Sequence, residues 1–405
     1  MLRSSSICLS LMYNYLLSDN EYQDESGISV LNKKSQKLRC LSKTFQSHGG
    51  ILSKISQMLS LDDPTNTVFS DCKPFSKDES IRFLSHQLEK NVEFFQNVHS
   101  VDLEVYKSGS VGQVHKAKYK SQDEKDIIIK VQYIGLYEQT QNDLKMLDTL
   151  VVYLYNFLDI KNALVDIKAK LNEELDYTKE LSNHQLIYNI WKDCDYVKIP
   201  EVIVELCTDK ILCMEYVEGQ SISDFISNST KEEKNILGEY IFKFTFENVY
   251  KHGILYSDIH YGNFLVKEDT TLCVIDFGCL TQIDSELQNN LRQLHISFLN
   301  EDKEMFYIIV ERMGIINQDT ISVESKEYIY KYFRIQYTPL ISEDFEFTQE
   351  WLDMASNKNI DLMKEWFLPR NMVYFNKIPY GCYNLLTKLQ LKCNFLPFFS
   401  EILNN

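Results

Sequence analysis

Asp258-Ile259-His260-Tyr261-Gly262-Asn263 is followed, thirteen residues past its asparagine, by Asp276-Phe277-Gly278. An isolated Asp-Phe-Gly arises often by chance, but an Asp, an Asn five residues on and then that tripeptide, in this order, does not. In such a set Asn263 and Asp276 supply the oxygen donors that Mg²⁺ takes beside a nucleotide's phosphates. Asp258 is then placed to orient or deprotonate a hydroxyl or water. The rest of the chain is read outward from this stretch.

Upstream, apolar positions Ile51, Leu52, Ile55, Met58 and Leu59 recur at helical spacing, so residues 1–60 read as helical. A loop over Leu61–Pro74 precedes Ser76-Lys77-Asp78-Glu79, a capping box that predicts a helix to about Val98. The period then changes to two, and Leu103–Tyr106, Gly112–Lys120 and Asp126–Gln132 read as strands. Helices are expected around 136–158 and 163–192, then a strand pair at Val202–Glu205 and Ile211–Tyr216. Thr230-Lys231-Glu232-Glu233 is a second capping box, opening a helix that Gly253 ends in a left-handed cap. Beyond Gly278 the pattern is helical. The fold class is α+β, a two-lobed protein-kinase-like fold. It comprises a helical extension (1–98), a small strand-rich N-lobe with inserted helices (99–217) and a large helical C-lobe (218–405).

Ser108-Gly109-Ser110-Val111-Gly112-Gln113 joins the first two strands of the small lobe. Small residues there let backbone N–H groups approach phosphates, although a plain hairpin turn explains the same letters. Lys130 closes the apolar run Ile127–Ile129. An ammonium on an interior strand position needs an anion, a nucleotide phosphate and a helix carboxylate in a kinase; the competing reading is a lysine reaching water from a strand end. Glu174-Leu175-Asp176-Tyr177-Thr178-Lys179-Glu180 offers three carboxylates. Asp176 and Glu180, four apart, share a helix face and suit one cationic centre, or else belong to a solvated acidic face. Backbone groups around Glu215–Val217, where the strand pair ends, suit an adenine edge.

Together these motifs resemble the UbiB family, also called AarF-domain-containing kinases, atypical kinase-like proteins of ubiquinone biology. The resemblance covers about 45–390. Lys54-Ile55-Ser56-Gln57 is similar to the family's Lys-x-Gly-Gln motif, and Gly112-Gln113-Val114-His115 to the end of its Ala-rich loop. Glu174, Asp176, Tyr177 and Glu180 match its Glu-x-Asp motif with the Tyr and Glu that follow. Lys130-Val131-Gln132 echoes its Lys-Val-Gln, and Ile378–Cys393 its C-terminal helices. The resemblance implies that Glu180 pairs with Lys130, and that Lys54, Gln57, Glu174 and Asp176 form a motif set covering the nucleotide pocket. It also implies ATP and Mg²⁺ as cofactors, with a lipid or quinone precursor at a membrane surface as partner. Ser56 stands where the motif has Gly, Gly109 and Ser110 where alanines are usual, and Ile259 and Tyr261 where prolines are usual. Tyr256 stands where ordinary kinases have His.

The reading is an ATP-dependent enzyme in which Lys130, held by Glu180, orients the α/β-phosphates. A pseudokinase that binds nucleotide without turnover is the alternative from another class. An ordinary protein kinase fits worse, since no Ala-Pro-Glu follows Asp276-Phe277-Gly278. Lys plus Arg total 42 against 58 Asp plus Glu, a net charge of −16 that disfavours nucleic acid and anionic lipid surfaces. Ten cysteines without a Cys-x-x-Cys pair suit reduced, buried thiols in a reducing compartment. No run reaches the roughly 18 apolar residues that span a bilayer. The Ser-rich, acid-poor segment before Asp19 has a faint mitochondrial-targeting character, against which stands Arg3, its only basic residue before Lys33.

Overall fold

Residues of alternate parity on the strands of the first half face opposite ways, and that division organises everything built on them. The computed structural model describes residues 77–88, 91–109, 111–120, 124–154, 172, 175–367 and 369–404. They fall into two units: the residues up to Gln185 with Glu201–Tyr216, and Leu186–Pro200 with Val217 onward.

The first unit begins with helices α1 (Lys77–Leu88) and α2 (Val92–Asn97) and continues through strands β1 (Val98–Val101), β2 (Lys107–Ser108), β3 (Gly112–Tyr119) and β4 (Lys125–Gln132). Helix α3 (Leu136–Leu154) and the start of α4 (Tyr177–Trp191) follow. After β5 (Val197–Lys198), which belongs to the second unit, comes β6 (Ile211–Glu215). The sheet is antiparallel in the order β1-β3-β4-β6, with β2 also pairing β3. Ile127, Ile129 and Val131 alternate onto one face of β4 and bury with Ile211 and Cys213 against Phe83, Leu84, Leu88 and Phe94 of the two helices. Ile128 and Lys130 take the other face, opposite Met214 and Leu212.

Two expected strands come out differently. Leu103–Tyr106 is not a strand: the Asp102 carboxylate accepts the N–H of Glu104 at 2.9 Å, a local turn that interrupts pairing between β1 and β2. Val202–Glu205 is reduced to one bridge, Val202 with Met214, before a 3₁₀ turn at Val204–Leu206 that buries Leu206. The expected helix from Ser76 to Val98 is two helices, and the chain is already extended at Val98. Leu186–Pro200, read from sequence as part of the 99–217 segment, falls in the second unit because Ile187, Trp191, Val197 and Ile199 pack into its core.

In the second unit β7 (Gln220–Ser221), α5 (Ile222–Asn228) and α6 (Lys231–Tyr250) lead to β8 (Ile254–Tyr256). The Thr230/Glu233 capping box forms as expected, and Gly253 takes φ +63° at the other end of α6. Strands β9 (Phe264–Val266), β10 (Leu272–Val274) and β11 (Leu280–Gln282) follow, then helices α7 (Ser285–Leu299), α8 (Lys303–Arg312) and α9 (Val323–Ile341). A two-stranded pair, β12 (Phe345–Glu346) with β13 (Lys392–Cys393), encloses α10 (Gln349–Ser356), α11 (Ile360–Met363) and α12 (Arg370–Leu389). Helix α13 (Leu396–Asn404) comes last. One sheet runs β5-β10-β9-β7, and β8 pairs separately with β11. The seven cysteines among the described residues are free thiols.

His295 lies in this unit's core with no solvent exposure, its ring 4.3 Å from Phe399, 5.5 Å from Tyr250 and 5.7 Å from Tyr337. Burial brings its pKa down to about 3 from the ordinary 6.5. Between those values the unfolded chain binds a proton that the folded chain does not, so stability is full above pH 6.5 and declines as pH falls. At pH 5 this amounts to about 2 kcal/mol. His295→Leu is expected to flatten the change in unfolding free energy between pH 7 and pH 5 by about that amount, measured by urea unfolding at both pH values.

Candidate functional site

In the first unit the register sets Lys130 between Val114 and Leu212 on the face away from the helices. Its ammonium lies 2.5 Å from Oε1 of Glu180, with side-chain exposures of 18% and 6%, and 5.1 Å from the centre of the Tyr177 ring. The lysine therefore does not end in water, and the carboxylate expected from the resemblance is its partner. Glu180 is held in place from the start of α4. Gln132, two residues past Lys130 and nearly buried, donates to the carbonyl of Leu175 at 2.9 Å, and the N–H of Tyr177 donates to the carbonyl of Asp209. Asp176 does something else: it is exposed, and its Oδ1 accepts the N–H and hydroxyl of Thr178, capping α4. The shared cationic centre for Asp176 and Glu180 is not formed, because Asp176 precedes α4 and its carboxylate is turned to that helix's N-terminus.

The loop between β2 and β3 closes tightly, the N–H of Gly109 donating to the carbonyl of Gly112 at 2.8 Å. A Cβ on Gly112 would stand 2.3 Å from the Val131 carbonyl oxygen and 3.0 Å from the Tyr177 hydroxyl, so only glycine lets β3 and β4 meet here. Behind it runs a buried polar chain. Nδ1 of His115 donates to the carbonyl of Asp102 at 2.9 Å, which makes Nε2 the acceptor for the Gln113 amide at 2.7 Å; that amide also reaches Ser80 of α1. Burial lowers the His115 pKa and keeps it neutral in that tautomer.

In the second unit two strand pairs bring two loops together. Pairing of β9 with β10 sets Phe264 opposite Val274, and the N–H of Ile275 donates to the carbonyl of Asn263 at 3.0 Å. Pairing of β8 with β11 sets Tyr256 opposite Leu280, and the N–H of Ser257 donates to the carbonyl of Cys279. The segment 257–263 is thus stitched to 275–279 at both ends. Tyr256, in place of a histidine, is buried and donates its hydroxyl to the carbonyl of Asp276 at 3.0 Å, with its ring 5.8 Å from that of Phe277. Ile259 is buried under Gly381 of α12, where a Cβ would come 2.7 Å from the Ile259 carbonyl oxygen.

Nδ2 of Asn263 donates to both the carbonyl and Oδ2 of Asp258, each at 3.0 Å. With the amide nitrogen so engaged, the amide oxygen is the end available to a cation. Asp276 accepts the N–H of Gly278 on Oδ1. An amide oxygen and a carboxylate are hard donors of the kind Mg²⁺ takes while drawing its remaining ligands from phosphate and water. The residues present fit that ion. Among the described residues there is no group of three or more His, Cys, Asp or Glu placed to hold a metal alone.

His260 escaped the sequence reading. Its Nδ1 accepts the N–H of Gly262 at 3.0 Å, and its Nε2 lies 3.4 Å from Oδ2 of Asp258. Its position two residues after the aspartate was the available signal. Gln132 escaped likewise, although the Lys-Val-Gln run contained it. At the end of β6 the N–H groups of Glu215 and Tyr216 donate to Glu201 and Asp126, and Val217 begins the second unit. Ser108 is in β2, whereas Lys54, Gln57, Ser110 and Glu174 lie outside the described residues.

The elements and side chains define a kinase-like protein. The chain belongs to the ABC1 atypical kinase-like family, which is the UbiB or AarF-domain-containing group; the family's domain model matches residues 67–309. It is 27% identical over 333 residues to protein ACTIVITY OF BC1 COMPLEX KINASE 8, chloroplastic, of Arabidopsis thaliana, covering 76% of this chain and 43% of that one. It is 23% identical over 381 residues to the atypical kinase coq-8, mitochondrial, of Caenorhabditis elegans, covering 88% and 49%. The chain thus spans about half the length of these relatives. Rv3197 of Mycobacterium tuberculosis, solved in complex with erythromycin, has the same fold at a TM-score of 0.69 and 21% identity, over 92% of this chain and 96% of that one.

Removing the ammonium alone would leave the Glu180 carboxylate buried without its counter-charge. Lys130→Met is expected to cost about 3–5 kcal/mol in urea unfolding, and adding Glu180→Gln to recover most of it. Equal loss in the single and double variants would show that the pair's charges are not the source.

Proposed function

We propose that this chain is a Mg²⁺-dependent, ATP-binding enzyme of the atypical kinase type, which hydrolyses ATP or transfers its γ-phosphoryl group. The observation that carries the reading is the placement of Asn263, bonded through its amide nitrogen to Asp258 and through its carbonyl to the residue before Asp276. Phosphoryl transfer asks a protein mainly for positioning and charge neutralisation, and the side chains here suit both.

In this reading Lys130, oriented by Glu180, takes α/β-phosphate oxygens, and the N–H groups of the Ser108–Gly112 loop approach the phosphates. The backbone around Glu215–Val217 takes the adenine edge. Asn263 and Asp276 hold Mg²⁺, which neutralises phosphate charge when bound. Asp258 orients the accepting hydroxyl or water, or takes its proton. Lys54, Gln57, Glu174 and Asp176 are proposed to cover the nucleotide, as the family resemblance implies.

A peptide acceptor fits poorly. Past Gly278 the chain enters β11 at Leu280 and α7 at Ser285, leaving little segment to bind one. We assign the acceptor to water or to a lipid or isoprenoid-quinone precursor at a membrane surface, on the strength of the family resemblance. Among the described residues no helix is long and apolar enough to cross a membrane.

Mg²⁺ with ATP is expected to raise the Tm of the wild-type protein and to leave that of Asp276→Asn unchanged. ATP turnover, measured with and without liposomes carrying quinone-precursor-like phenols, is expected in the wild type and lost in the variant. Stabilisation without turnover in any condition would replace the enzyme with a nucleotide-holding regulatory module. Equal stabilisation of both proteins would remove Asp276 from the metal.

A further inference from the structure

His260 has two ring nitrogens, and the surroundings assign each. The N–H of Gly262 donates to Nδ1 at 3.0 Å, so Nδ1 carries a lone pair and the neutral ring bears its proton on Nε2. Nε2 is the atom 3.4 Å from Oδ2 of Asp258. The same oxygen accepts from Nδ2 of Asn263 at 3.0 Å. One carboxylate oxygen thus accepts the Asn263 amide and has the His260 Nε2 edge beside it at 3.4 Å. The 3₁₀ turn Tyr261–Asn263, capped by His260, sets both donors at once.

We propose that His260 is a positioning residue for Asp258, using its Nε2–H to hold the carboxylate in the orientation from which it meets the accepting hydroxyl or water. The role rests on the phosphoryl-transfer reading above. The 3.4 Å separation is what such a contact shows before substrate arrives, since catalytic hydrogen bonds tighten in the loaded complex.

Two substitutions separate the functions of the ring. In His260→Gln an amide N–H stands near the position of Nε2, whereas in His260→Asn an acceptor stands near that of Nδ1 and the donor toward Asp258 is lost. Expected are a kcat within about threefold of wild type for His260→Gln and a loss of roughly ten- to hundredfold for His260→Asn, with KM for ATP unchanged in both. In an Asp258→Asn background, His260→Asn is expected to cause no further loss, as for residues acting as one unit. The proposal is overturned if His260→Asn keeps wild-type kcat while His260→Gln loses it, or if the His260→Asn loss is undiminished in the Asp258→Asn background. Long-range ¹H–¹⁵N NMR of the wild-type protein provides a readout independent of turnover. A proton on Nε2 supports the assignment and a proton on Nδ1 overturns it, so a failure of His260 is distinguishable from an absence of ATP turnover.

Discussion

An ammonium and a carboxylate 2.5 Å apart, both largely withdrawn from water, set the terms for the polar face of the first unit. Desolvating two charges costs several kcal/mol per ion, and their attraction offsets this only when geometry is held closely. Much of the surrounding structure holds it. The β3-β4-β6 register aims Lys130 away from the apolar core, while Gln132 ties the strand to Leu175 and thereby fixes where α4 starts. The first turn of that helix then presents Glu180, and the Tyr177 ring stands under the ammonium. Such a pair contributes little net stability. Its retention is intelligible if the lysine serves an anionic ligand, the role proposed for it.

The second unit solves a different problem, which is to hold two polar loops still on an apolar base. Each loop is bounded by strands that pair with the strands bounding the other, so backbone hydrogen bonds fix both ends. Tyr256 adds a third tie, from the apolar core to the backbone of Asp276. Below, Ile259 rests against Gly381 with no room for a methyl group between them. The prolines usual around the aspartate stiffen the chain by fixing φ. In this chain burial of Ile259 and the Asn263 bonds supply that rigidity instead.

What could be read in advance followed from local rules. The Thr230 capping box, the left-handed Gly253 and the two-residue alternation over Gly112–Lys120 and Asp126–Gln132 depend on neighbours within a few positions. What was misread depended on longer-range contacts or on competing side-chain bonds. Asp102 turns the chain where alternation suggested a strand. The stretch from Leu186 to Pro200 follows its apolar residues into the second core.

The sequence by itself determined the kinase-like class and singled out Lys130, Asp258, Asn263 and Asp276 as candidates, because ordered spacing of polar residues survives without coordinates. Only the tertiary structure decided which of three nearby carboxylates meets Lys130, which end of Asn263 bonds Asp258, and which nitrogen of His260 takes the Gly262 N–H. Those are questions of side-chain direction and donor–acceptor complementarity. Packing and strand register set direction, and residue order alone does not encode it locally.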